Sequence, residues 1–117
     1  MDPEAIREIF SQVGAIRLRK MFGGQGIYQG ELMFALEIGG ELYLKVDAET
    51  QPLFRDLGSQ PFTYTGRSGK PLAMSYWRLP ENALDDPDEA GHLARLAIGA
   101  ALRARAKKLT GKTRKRS

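Results

Sequence analysis

Apolar residues recur along this 117-residue chain in two rhythms, one helical and one alternating, and the changes between them mark its elements. In PEAIREIFSQV (3–13), Ile6, Ile9, Phe10 and Val13 fall on one helical face. Asp2 stands as N-cap, Pro3 as the first helical residue and Gly14 as the stop. Alternation then takes over, with Ile16 and Leu18 set against Arg17 and Arg19. ELMFALEI (31–38) and ELYLKV (41–46) follow, joined by Gly39-Gly40, a strong two-residue hairpin signal. The spacing puts Leu32, Phe34, Leu36 and Ile38 on one face of the first strand, and Leu42, Leu44 and Val46 on one face of the second. Asp47 is placed to cap a short helix over 48–57, which carries Leu53, Phe54 and Leu57 and ends at Gly58. Strands at 62–64 and 72–79 flank the turn TGRSGKP (65–71). The last and longest helix opens with Asp86 as N-cap, Pro87 and the capping-box residue Glu89, and has an inner stripe of Leu93, Ala94, Ala97, Ala100, Ala101 and Ala104.

The order α-β-β-β-α-β-β-α predicts one α+β domain over residues 1–108. Its mainly antiparallel sheet has about five strands, with helices on one face. Residues 109–117, TGKTRKRS with the leucine before it, have no apolar period and read as a basic, disordered tail.

Within this plan KMFGGQGIYQG (20–30) is the one stretch that resembles a phosphate-binding loop. A dinucleotide fingerprint runs from a strand into a helix, whose N-terminus holds the pyrophosphate. Here Gly24-x-Gly26 is followed by Gln29 where a third glycine is needed, and by a strand pattern instead of a helix. No Gly-Lys-Ser/Thr ends the run either. The glycines are therefore read as supplying positive φ at a bulged turn, with Gly30 serving a second turn.

Composition narrows the chemistry. There is no cysteine, hence no disulfide scaffold, cysteine nucleophile or thiolate metal site. The single histidine, His92, falls opposite the Leu93/Ala97 stripe and is expected to face solvent. Asp85, Asp86, Asp88 and Glu89 lack calcium-loop spacing and suit a helix N-terminus instead. No catalytic, cofactor-binding or metal-binding residue is assigned, and a non-enzymatic protein is expected. The N-terminal run MDPEAIREIF is acidic and helical, so neither a secretory signal nor a membrane span is expected, which suits the cytoplasm.

Charge is unevenly placed. Eight of the 18 basic residues lie from Arg103 onward, where there is no acid; residues 1–102 hold ten basic and fourteen acidic residues, a net of −4. Lys107, Lys108, Lys112, Arg114, Lys115 and Arg116 are candidate contacts to DNA phosphates, with a solubilising end as the competing reading. On the sheet, Arg17, Arg19, Lys45 and Trp77 are candidate interaction residues. Trp77 and Tyr76 point to opposite faces, so at least one of them is expected at the surface. A small-ligand or nucleic-acid site on that aromatic-rich face is the alternative to a protein-contact role. A partly apolar open face would also suit a homodimer.

RKMFGGQGIYQGELMFALEIGGELYLKVD (19–47), PFTY (61–64), MSYWRLP (74–80) and an Asp-rich opening of an alanine-rich helix occur here in one order. In that combination the chain resembles the TfoX/Sxy N-terminal domain family, from near residue 3 to about 106. The resemblance implies an α+β domain with a curved antiparallel sheet and a role linked to bacterial regulation of DNA-uptake competence. Family namesakes assist the cyclic-AMP receptor protein at promoters and carry a second, helical domain. It supplies no catalytic residues, and it implies a protein partner in the transcription machinery.

Overall fold

The computed structural model describes residues 1–21, 23–65 and 71–114, the side chains of 64–65, 71–74 and 110–114 excepted. The chain starts with helix α1 (Pro3–Ile9) and a 3-10 turn (Ser11–Val13). Four strands follow, β1 (Arg17–Met21), β2 (Gly24–Gln29), β3 (Leu32–Ile38) and β4 (Glu41–Lys45). Helix α2 (Gln51–Asp56) leads to β5 (Pro61–Thr65) and β6 (Pro71–Arg78). A second 3-10 turn (Glu81–Ala83) precedes helix α3 (Pro87–Arg114). The six strands form one antiparallel sheet in the order β1-β2-β3-β4-β6-β5.

The expected α+β architecture is present, with six strands instead of about five. The added strand is β2, built from the glycine run itself. Gly23 has φ +75° and turns the chain between β1 and β2, while Gly24 and Gly26 have no positive φ. Those two serve close approach, not backbone freedom: a Cβ on Gly24 would run into the carbonyl oxygen of Glu37 on β3, and one on Gly26 into the tips of Met33 and Met21. At Gly39-Gly40 both φ values are positive, +60° and +85°, as a two-residue hairpin of this hand requires.

A bulge redistributes β3. Ile27 pairs with Ala35 and Tyr28 with Met33, so Phe34 is an extra residue opposite β2. Phe34 and Ala35 consequently both belong to the core, Phe34 edge-on to Phe10 at 5.6 Å, while Leu36 pairs with Tyr43 on the other face. This corrects the single-face assignment of Leu32, Phe34, Leu36 and Ile38: one inserted residue shifts the alternation.

The core joins Ile6 and Phe10 to Ile27, Leu44 and Trp77 on one face of the sheet, beneath α3. Helix α3 lies close because its inner stripe is small, with Ala90, Ala94, Ala97 and Ala100 fully buried around Leu93. Ala104, expected in that stripe, is exposed. Asp86 caps the helix as predicted, accepting from the amides of Asp88 and Glu89 at 3.1 and 3.3 Å. The helix runs on past Leu109 to Arg114, and from Leu102 to Leu109 its side chains are exposed. Among the described residues no helix is long and apolar enough to cross a membrane. The predicted turn over 65–71 falls largely on 66–70, which lie outside the described residues.

Candidate functional site

Cross-strand pairing assigns the second face of the sheet. Arg17 opposes Tyr28, Tyr28 opposes Met33, Leu36 opposes Tyr43, and Lys45 opposes Tyr76. Side chains directly opposite one another share a face, so Arg17, Arg19 and Lys45 come together with the tyrosines there. The Arg17 guanidinium lies 5.4 Å from the Tyr28 ring centroid and donates to the Gly30 carbonyl at 3.3 Å. The Lys45 ammonium lies 5.2 Å from the Tyr76 centroid and donates to Ser75 Oγ at 2.7 Å. Tyr43 meets Phe62 edge-on, with centroids 4.9 Å apart.

These contacts make the face self-covered. Tyr76 is only 8% exposed and Leu36 6%, although neither belongs to the core cluster on the helix-covered face. Burial drives the Tyr76 phenol up to about 12, with Tyr28 adding to the shift. Burial also draws the Lys45 ammonium below the ordinary lysine range, against the pull of Asp47. With cations lying over Tyr28 and Tyr76, those ring faces are not open to stack bases, which weighs against the nucleic-acid alternative on this sheet. The face presents charge instead, concentrated on β1.

Trp77 does not belong to this group. It opposes Leu44 on the helix-covered face and is 8% exposed. Tyr76 and Trp77 do point to opposite faces, but both are buried, because the side chains of the open face close over Tyr76. Asp47, just beyond β4, is engaged elsewhere than on the open face. Asp47 accepts the amides of Glu49 and Thr50 at 3.1 and 3.2 Å and receives Arg103 of α3 at 2.6 and 3.2 Å. The Arg103 hydrogen bond outweighs burial, and with the two amides it holds the Asp47 carboxyl below the usual range. Arg103 also pairs with Glu49 at 2.9 Å.

Along α3, Lys107 and Lys108 are exposed; Lys112 and Arg114 lie on the helical backbone, and Lys115 and Arg116 lie outside the described residues. His92 is exposed, as its position on the helix predicted. Among the described residues no group of three or more His, Asp or Glu side chains is placed to hold a metal ion.

Sequence reading missed Glu37, a carboxylate only 4% exposed. Burial raises its pKa, but donation from the Gly40 amide at 2.8 Å, Gln25 Nε2 at 3.1 Å and the Met1 ammonium at 3.3 Å more than offsets that, and the net shift is downward. The only signal for it was a glutamate in an otherwise apolar strand, three residues before a glycine turn whose amide needed an acceptor.

Fold and site together define a small α+β module with one helix-covered face and one open face carrying cations over aromatic rings. The chain belongs to the TfoX N-terminal domain family, whose sequence model matches residues 8–101, from α1 to the end of the buried part of α3. It is similar to the DNA transformation protein TfoX1 of Aliivibrio fischeri (strain ATCC 700601 / ES114), 32% identical over 57 residues. That match covers 49% of this chain and 27% of the relative, so the chain spans little of that protein's length.

Proposed function

We propose that this chain is a non-catalytic accessory protein of DNA transformation. It acts through contacts with the transcription machinery, and the basic end of α3 adds contacts to DNA phosphates. Family membership carries the reading, together with a relative that is itself a DNA transformation protein. Charge supports the second part: after Glu89 the chain contains no acid. Arg105, Lys107 and Lys108 stand exposed on a helix that continues through Lys112 and Arg114, whereas Arg103 is held by Asp47 and Glu49. A helix keeps such cations at fixed spacing along its axis, about 1.5 Å per residue.

The test is fluorescence anisotropy on labelled promoter duplex, with this chain and the cyclic-AMP receptor protein added singly and together. The chain alone should bind with a log–log salt slope of about −5 if the six cations from Lys107 onward engage phosphates, falling to roughly −2 after truncation behind Leu109 leaves Lys107 and Lys108. Together, the two proteins should bind more tightly than either does alone. An unchanged receptor affinity, with no binding by the chain at low salt, would overturn the proposal.

A further inference from the structure

We infer that the free edge of β1 takes up an extended acidic segment of a partner protein as a seventh strand. The sheet order begins with β1, so among the described residues one side of that strand has no neighbour in the sheet. The tight connection from Met21 to Gly24 sets the register, and Arg17, Arg19 and Met21 turn their amides and carbonyls toward β2. Leu18 and Lys20 therefore direct theirs outward. The carbonyl of Ile16 is already taken by Arg7 Nη1 at 2.9 Å, which marks one end of the open edge.

Charge decides what fits there. Residues 9–30 contain no acid, although the body up to residue 102 is net negative. Arg17, Arg19 and Lys20 are all exposed, the two arginines on the open face and Lys20 on the other. Cations on an edge strand repel a second copy of the same edge, because like charges would stand opposite one another. They accept a strand that alternates carboxylates with apolar side chains. Its carboxylates would stand opposite Arg17 and Arg19, and its apolar residue opposite Leu18, itself half-buried against the core. Backbone pairing would give such a complex its affinity and the alternating side chains its selectivity.

This deepens the reading above and rests on it only in taking the partner to be a protein. The probe is a blocked synthetic peptide alternating glutamate and valine, with a lysine-for-glutamate version as control. Titration calorimetry and amide hydrogen exchange are run on the full chain. The acidic peptide should bind and slow exchange of the Leu18 and Lys20 amides, while the lysine version does not. Arg19→Glu should weaken binding at least tenfold, and Lys20→Pro, which removes an outward amide, should abolish it. The exchange map of the unsubstituted chain decides the matter even if the proline variant fails to fold. Absence of binding, protection elsewhere, or binding unaffected by Lys20→Pro in a folded variant would overturn the inference. So would protection of Leu18 and Lys20 by the chain's own dimerisation. Because no transcription protein is present, edge capture without receptor binding, or the reverse, separates this inference from the functional reading.

Discussion

Replacing Gly24 by alanine should be much more damaging than replacing Gly26, although the two lie two residues apart in the same strand and both have ordinary φ. An alanine Cβ at Gly24 overlaps the Glu37 carbonyl oxygen and stands 3.0 Å from its carbonyl carbon and 3.1 Å from Ile38 Cγ1. Backbone cannot rotate away, so β2 and β3 must separate. At Gly26 the nearest atoms are Met33 Sδ at 2.8 Å, Met21 Cε at 2.9 Å and Tyr28 Cε1 at 3.1 Å, mostly the mobile ends of flexible side chains. Overpacking costs about 1–3 kcal/mol, and the alanine recovers roughly 0.5–1 kcal/mol of glycine's entropy loss. Taking the upper end for Gly24 and the lower for Gly26 gives net losses of about 2 and about 0–0.5 kcal/mol. In a chain of this size the first corresponds to a melting temperature lower by about 8 °C. Trp77 is the sole tryptophan and is buried, so its emission in urea reports global unfolding at unchanged m. Equal losses for the two variants, or a larger one for Gly26→Ala, would show that strand separation is not what Gly24 prevents.

Leu36→Ala should cost about 2–4 kcal/mol in urea unfolding, a core-sized loss from the face without helices, because Leu36 is buried there. Glu37→Gln should lower stability at pH 7 and flatten its acid dependence. The folded carboxyl titrates below the ordinary glutamate range, so its contribution is complete above that range and is lost as pH falls through the folded value; urea midpoints measured from pH 6 to 3 that stay parallel would contradict this. One tyrosine should ionise near pH 12 in an absorbance titration, and Tyr76→Phe should remove that component alone. Asp47→Ala should cost about 1 kcal/mol, the order of a lost intramolecular hydrogen bond, because it removes the acceptor for the turn amides of Glu49 and Thr50 and for Arg103, and it should speed amide exchange at Glu49 and Thr50.

Local chemistry was legible wherever one residue type answers one backbone need. Gly39-Gly40 supplies two positive φ values, and Asp86-Pro87 opens α3. Reading failed where the answer depended on a neighbour distant in sequence. The run around Gly24 and Gly26 looked like a turn because glycine signals backbone freedom, whereas these two make room for β3. The bulge at Phe34 has no signature within β3 itself; it follows from pairing with β2, and it moved Leu36 to the other face and Glu37 under cover. Trp77 looked like a surface residue for lack of any sign that β6 lies between β4 and β5. Of the candidate site, the grouping of Arg17, Arg19 and Lys45 could be read from alternation, but the rings beneath two of them could not.

The ion-pair cluster at Arg103 stands where α3 leaves the body, one residue after the exposed stretch begins at Leu102. Asp47, whose carboxylate also accepts the amides of Glu49 and Thr50, thereby fastens the point where α3 becomes exposed to the turn that leads into α2, joining two segments 56 residues apart in sequence.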